Sequence, residues 1–338
     1  MSNVAPLTKI FHISETGFET AALDTYFFQY THNPLYRRFC ELVRPGGVQQ
    51  FSEIPFLPIS FFKTERVLAT DTEPSLVFES SGTTGMIPSR HYVADPGLYD
   101  AASYAAFEQL YGSLSGWRIL ALLPSYLERG QSSLVHMVQR FMERSGQPQN
   151  GFFLHDHAAL AAALREGEEA GQKTLLIGVT YALLDFAASF GMPLRHTSIM
   201  ETGGMKGRRR ELLRSEVHAL LQDAFGVTHI HSEYGMTELL SQAYAQRDGL
   251  FVAPEWMRVY VAEEDDPVAW SSSPGRTGRL YVVDLANHWS CSFIATEDLA
   301  RMHEGGRFEV LGRIDNSDIR GCSLLAPGAG PLSPQGGT

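Results

Sequence analysis

The 338-residue chain is 44% hydrophobic and 19% charged, enough for one large buried core or two domains and unlike a disordered or fibrous protein. Its formal net charge of -11 argues against a nucleic-acid binder, which needs phosphate neutralisation, and against docking on an anionic membrane. Cys40, Cys291 and Cys322 include no Cys-x-x-Cys pair, and no apolar run reaches membrane length, so neither a disulfide framework nor a membrane span is expected and the cytoplasm is the expected location.

Residues 1–75 read as a helical lead-in followed by an extended strap. Leu23, Tyr26, Phe27 and Tyr30 recur at helical spacing, and Pro34 breaks the run before Leu35, Tyr36 and Phe39. Ile54-Pro55-Phe56-Leu57-Pro58-Ile59 holds two prolines too close for a helix and predicts an extended segment. The apolar run Leu76-Val77-Phe78 then enters Glu79-Ser80-Ser81-Gly82-Thr83-Thr84-Gly85. Glycine lets backbone N–H groups approach an oxyanion, and the hydroxyls add rotatable donors. The loop lacks the lysine of a Walker loop, so polyphosphate charge falls to Mg2+ and to cations elsewhere. An ordinary polar turn would also satisfy this loop taken alone.

Strands and helices alternate from there to about residue 250. Helices are expected over Pro96–Tyr111, around Leu134–Met142, up to Glu169 and over Tyr181–Phe190. Buried strands are expected over Arg118–Leu123, Leu175–Val179, Thr197–Met200 and Val227–His231. This alternation predicts an α/β core over 76–250, a mostly parallel sheet layered with helices, with ligand loops beyond the strand ends. The glycine-rich loop is expected at one such end. Glu201-Thr202-Gly203-Gly204 and Ser232-Glu233-Tyr234-Gly235-Met236-Thr237-Glu238 are expected to follow two others. From 251 to 325 short strands predict a small β-rich subdomain, and 326–338 reads as a tail.

Several pieces carry chemistry. Glu238 is a hard oxygen ligand suited to Mg2+ on phosphates. Asp298 offers two acceptors to a ribose diol, and Arg313, in Gly312-Arg313-Ile314-Asp315, offers a charge-assisted donor. Gly203 and Gly204 let the backbone lie flat against an adenine ring. His155 with His157, and His229 with His231, lack a third ligand at zinc spacing. His91 and His231 lie beside the two main motifs and serve either a ligand or the structure.

Taken together, Ser80 to Gly85, Tyr234-Gly235-Met236-Thr237-Glu238, Asp298 and Gly312-Arg313-Ile314-Asp315 resemble the motifs of adenylate-forming enzymes. Ser89-Arg90-His91, the strap ending at Phe62-Lys63, and Glu201 to Lys206 make the chain similar to the short acyl-protein synthetase branch of bacterial bioluminescence (LuxE type). The resemblance covers roughly residues 20–325. It implies ATP and Mg2+ as cofactors, with Ser80, Ser81, Gly82, Thr83, Thr84, Gly85, Gly203, Gly204, Tyr234, Gly235, Met236, Thr237, Asp298 and Arg313 around the nucleotide and Glu238 on the metal. It further implies a carboxylic, fatty acid substrate, catalytic roles for Thr83, Glu238 and a C-terminal cysteine placed here at Cys322, and a reductase partner that collects the acyl group. The large mobile C-terminal domain of longer ligases is not expected. An acyl- or aryl-coenzyme A ligase using a separate domain, or a silent nucleotide-binding subunit, stand as alternatives.

Overall fold

The computed structural model describes residues 8–81, 87–124, 131–203, 212–262 and 269–314. A six-stranded sheet runs in the order β5-β4-β6-β7-β8-β9. Its strands are β4 (Arg118–Leu122), β5 (Gly151–Phe152), β6 (Thr174–Gly178), β7 (Thr197–Glu201), β8 (His231–Tyr234) and β9 (Ala243–Ala245). All neighbours pair in parallel except β8 with β9. Side chains on a strand alternate between faces, and β4 shows the consequence. Ile119 and Ala121 join one apolar cluster, Leu120 and Leu122 the other. A helix at Pro96–Tyr111 (α4) and one at Ser133–Ser145 (α5) supply the first cluster; helices at His157–Glu169 (α6), Thr180–Phe190 (α7) and Arg214–Phe225 (α8) supply the second. The α/β layering expected from the alternation is what forms.

The N-terminal segment splits at the expected place. Helices α1 (Phe18–His32) and α2 (Pro34–Val43) meet at Asn33, held extended before the proline, and its side chain accepts the N–H of Tyr36 at 3.0 Å. The strap is extended too, and Leu57–Pro58 (β1) pairs in parallel with a strand of the second sheet, Leu57 opposite Ile294. That sheet combines β10 (Met257–Ala262), β11 (Trp270–Ser271), β12 (Thr277–Asp284), β13 (Phe293–Met302) and β14 (Phe308–Arg313) with β1. The short α3 (Phe61–Thr64) follows the strap.

Two local expectations need correction. Leu76–Glu79 (β2) is no strand of the parallel sheet: it pairs antiparallel with Arg90–Val93 (β3), so the glycine-rich loop joins the arms of a hairpin. Ser80 N–H donates to the Ser89 carbonyl at 3.0 Å, Ser89 N–H donates to Ser80 Oγ at 2.8 Å, and Arg90 pairs with Glu79 at 2.9 Å. These bonds close the hairpin just below the loop. The strand expected over Val227–His231 begins only at His231 and runs through Tyr234, because pairing with β7 starts at Met200 opposite His231 and β9 holds Ser232 to Tyr234 from the other side. His229 therefore precedes the strand and shares no face of it with His231. Asp298 sits within the ten-residue strand β13. Gly82, Thr83, Thr84, Gly85, Gly204 and Cys322 lie outside the described residues.

Candidate functional site

Glu238 is the pivot of the site. The turn that carries it is fixed by a buried carboxylate, Asp284, which accepts the N–H groups of Leu240 and Ser241 and the Ser241 hydroxyl at 2.7–3.0 Å. Asn287 donates to the Glu238 carbonyl at 2.7 Å, and Gln29 of α1 bonds the Asn287 carbonyl at 2.9 Å in turn. These buried bonds leave the turn little freedom to shift, although Asn287 Oδ1 itself has no partner among the described residues. The Glu238 side chain is itself buried. Burial pushes its carboxyl above the usual range, against a hydrogen bond from Ser89 and the positive charges of Arg313 and Lys63. A carboxylate destabilised by burial is one a cation would relieve.

Ser89 connects this centre to the hairpin, since Ser80 and Ser89 bond each other at its neck. Thr237 connects it a second time, its carbonyl lying 2.9 Å from His91 Nδ1. Burial drives the His91 imidazole down to about 4, so the ring is neutral at physiological pH and ties the hairpin to the turn. Its role is structural.

A second part of the group forms on β13 and β14. Tyr234, the last residue of β8, donates its hydroxyl to Asp298 Oδ2 at 2.8 Å. Asp298 stands opposite Arg313 across the two strands, with Arg313 Nε 3.7 Å from Asp298 Oδ1. Arg313 is mostly exposed, and Lys63 lies 3.9 Å from Glu297 in a loose pair. Both cations retain freedom to turn towards an anion. Among the described residues no group of three or more His, Cys, Asp or Glu side chains is placed to hold a metal ion. Glu238 fits Mg2+ in the manner of sites where one carboxylate, phosphate oxygens and water complete the shell.

Just past the end of β7, Gly203 adopts φ +73° and its N–H donates to Glu201 at 2.8 Å. Glu201 also accepts Thr180 Oγ1 at 3.1 Å and faces Arg214 at 3.3 Å. Burial alone would raise its carboxyl. His218, Arg214, Ser232 and the Gly203 N–H more than offset that and hold it at about 2. Arg214 then reaches the Val310 carbonyl at 2.9 Å, so one side chain spans from the Gly203 loop to the strand bearing Arg313.

Ser80 is thus joined to Glu238 through Ser89, Tyr234 to Asp298 and Asp298 to Arg313, whose charge acts on Glu238, and Gly203 and Gly235 follow adjacent parallel strands. Ser81 ends the described part of the hairpin's first arm, and Met236 is partly buried against the core. Sequence reasoning left Lys63, Ser89, Asp284 and Glu233 without a role. Lys63 carried a signal in its place at the end of the strap; the other three are recognisable only once chain segments far apart meet.

No protein-family model matches the chain, and no curated protein does. Solved structures do. ATP-bound MatB from Rhodopseudomonas palustris is 18% identical with a TM-score of 0.51, over 70% of this chain and 47% of that one. A 2-hydroxyisobutyryl-CoA ligase in complex with 2-HIB-AMP and CoA is 15% identical with a TM-score of 0.66, over 94% and 70%. The luciferase-like enzyme of the nonluminescent Zophobas morio mealworm is 15% identical with a TM-score of 0.50, over 73% and 60%. The chain therefore spans from about half to about two thirds of these relatives. Its two sheets and their helices have the fold of the adenylate-forming ligases.

Proposed function

We propose that this protein activates a carboxylic acid with ATP. The carboxylate oxygen attacks the α-phosphorus, the bond to pyrophosphate breaks, and acyl-AMP forms. A carboxylate is ionised at neutral pH and needs no general base for this step. The observation that carries the reading is the meeting of four residues from separated motifs: Ser80 is tied to Glu238 through Ser89, Asp298 pairs with Arg313, and the Arg313 charge acts on Glu238. Glu238 holds Mg2+, which supplies neutralisation of phosphate charge. Ser80 and Ser81 lead into the phosphate loop, in which Gly82, Thr83, Thr84 and Gly85 donate to the phosphates. Asp298 takes the ribose hydroxyls, Arg313 meets ribose or phosphate, and Gly203, Gly204 and Gly235 to Thr237 line the base and sugar.

In the second half-reaction the Cys322 thiolate attacks the acyl carbon, AMP leaves, and the thioester passes to a reductase-like partner. This is the acyl-protein synthetase (LuxE-type) activity that the motifs resemble, with a fatty acid as the expected substrate. Cys322 lies eight residues beyond Ile314, whose N–H is bonded to Glu297 beside Asp298. At about 3.3–3.6 Å per residue that length suffices to return a thiol to the cleft.

Acid-dependent exchange of labelled pyrophosphate into ATP tests the first half, and its absence across aliphatic and aromatic acids overturns it. Intact mass after ATP and acid, with and without Cys322→Ser, tests the second. An adduct that survives in the variant removes Cys322 from the mechanism. Acyl-coenzyme A formed by the purified chain favours the second reading, a coenzyme A ligase, to which the CoA-bound relative lends support.

A further inference from the structure

β8 turns its side chains two ways. Ser232 and Tyr234 face His218 and Asp298, with Ser232 Oγ 3.3 Å from His218 and the Tyr234 bond described above. His231 and Glu233 face α4 and α5 instead. There His231 Nδ1 is 3.1 Å from the Tyr111 hydroxyl, and Glu233 stands directly across from Tyr244 of β9. Tyr99 of α4 is a further electrostatic neighbour of Glu233. The mechanism proposed above uses none of these groups.

Glu233 and Gln242 converge beneath Gly235. A Cβ on that glycine would overlap Glu233 Oε1 and come within 3.3 Å of Gln242 Cγ. Gly235 is the residue between Tyr234, on the ribose side, and Thr237-Glu238, on the phosphate side, so both side chains begin next to where a reacting carboxylate must lie. Gln242 is 4% exposed, and its Oε1 has no hydrogen-bond partner. An orphaned buried acceptor is costly unless a ligand or a water satisfies it.

The tyrosine protons nearby are already committed. Tyr99 donates to the Ser133 carbonyl at 2.9 Å, and Tyr244 points its hydroxyl at Met137 Sδ at 3.8 Å. Burial, then the charge of Glu201, pushes the Glu233 carboxyl up to about 8, with no hydrogen bond in relief among the described residues. Glu233 Oε1 and the Gln242 side chain thus converge under the same glycine, and among the described residues the orphaned Gln242 Oε1 is given no donor.

We propose that the acid pocket prefers carboxylic acids that bear a hydrogen-bond donor, a hydroxyl or an amino group, over plain hydrocarbon acids, with Glu233 and Gln242 Oε1 as the acceptors. The inference rests on the activation chemistry above and departs from the plain fatty acid that the motif resemblance implies. A pocket built to bond a substrate hydroxyl discriminates strongly against the analogue without one, because its own polar groups are then stranded.

The test is pyrophosphate exchange by the full chain with matched acids: hexanoate against 6-hydroxy- and 6-aminohexanoate, and benzoate against 3-hydroxy-, 4-hydroxy- and 4-aminobenzoate. A donor-bearing acid is expected to exceed its plain partner by at least about tenfold in kcat/KM. Glu233→Leu and Gln242→Leu are each expected to shrink or invert that ratio. Since the ratio is taken within one preparation, a loss of folded protein cancels. Plain acids preferred by the wild type, or a ratio untouched by both variants, sinks the inference and leaves acid activation standing; the second result means that Glu233 and Gln242 serve only each other. Exchange with no acid of either kind overturns both.

Discussion

Two glutamates on neighbouring strands, Glu201 buried and Glu233 partly buried, are treated in opposite ways by their surroundings. Glu201 closes β7 among Thr180, Gly203, Arg214 and His218, and its carboxyl is held at about 2. Glu233, on β8 with its side chain on the opposite face, finds no such partners among the described residues and is pushed to about 8. Burial acts on both in the same direction, and only the partners differ. A saturated carboxylate is framework, whereas an unsaturated one is free to meet something that arrives. The distinction has consequences at both ends of the pH range.

The largest effect expected is at the saturated end. Glu201→Ala leaves Arg214 and the Gly203 N–H without their acceptor and should cost about 3–5 kcal/mol in urea unfolding at pH 7. The sign with pH follows from a depressed value. Glu201 stabilises the fold fully above its unfolded value near 4.5, and that contribution fades as pH falls towards about 2. The variant should lack this acid limb. Should it unfold at the same urea concentration as the wild type, Glu201 is no framework and the contrast collapses.

Glu238 is a third case, a carboxyl destabilised by burial yet faced by cations. Glu238→Ala should lower pyrophosphate exchange by about 10²–10³, the usual cost of removing one group that stabilises charge in the transition state, with a thermal melt near that of the wild type. A drop of less than threefold removes it from the phosphate chemistry. Asp298→Asn should act more mildly and on binding. On the proposed reading, in which Asp298 takes the ribose hydroxyls, the loss of one charged acceptor predicts a KM for ATP raised about tenfold, with kcat less affected. Equal losses in both would move Asp298 from holding the nucleotide to the reacting centre.

The legibility of these roles in the sequence followed the length of the signal. Helix α4 begins and ends at Pro96 and Tyr111 as read, because Asp95 caps it, its N–H acceptor 3.3 Å from Leu98, and Gly112 at φ +75° stops it. Tyr234, Glu238, Asp298 and Arg313 were legible as an ordered set, and they meet. The hairpin was not legible, since Leu76–Glu79 is apolar enough for a parallel strand and only its pairing with Arg90–Val93 distinguishes the two. The start of β8 was missed for a similar reason. Val227 and Ile230 bracket polar residues, and register with β7, set from outside the segment, decides where pairing begins. Glu233 looked like one more polar residue in a loop. Nothing local could reveal that Tyr244 and Gln242 would enclose it.

The smallest effect falls on Glu233, and its sign is opposite to that of Glu201. A carboxyl raised to about 8 in the fold and near 4.5 when unfolded binds an extra proton in the native state between those values. Stability then declines as pH rises through that window, and the decline is complete above about 8. Glu233→Gln keeps the shape and removes the charge, so it should match the wild type near pH 4.5. It should gain on it steadily up to pH 8 and hold a constant lead beyond, about 1 kcal/mol because part of the side chain meets water. Melts at pH 5, 7 and 9 read this directly. A lead independent of pH would mean that Glu233 has a partner after all, and the division of β7 and β8 into framework and receptor would lose its second half. If the lead is smaller in the presence of a donor-bearing acid than in the presence of its plain analogue, the ligand has taken up in the wild type the relief that the glutamine supplies in the variant.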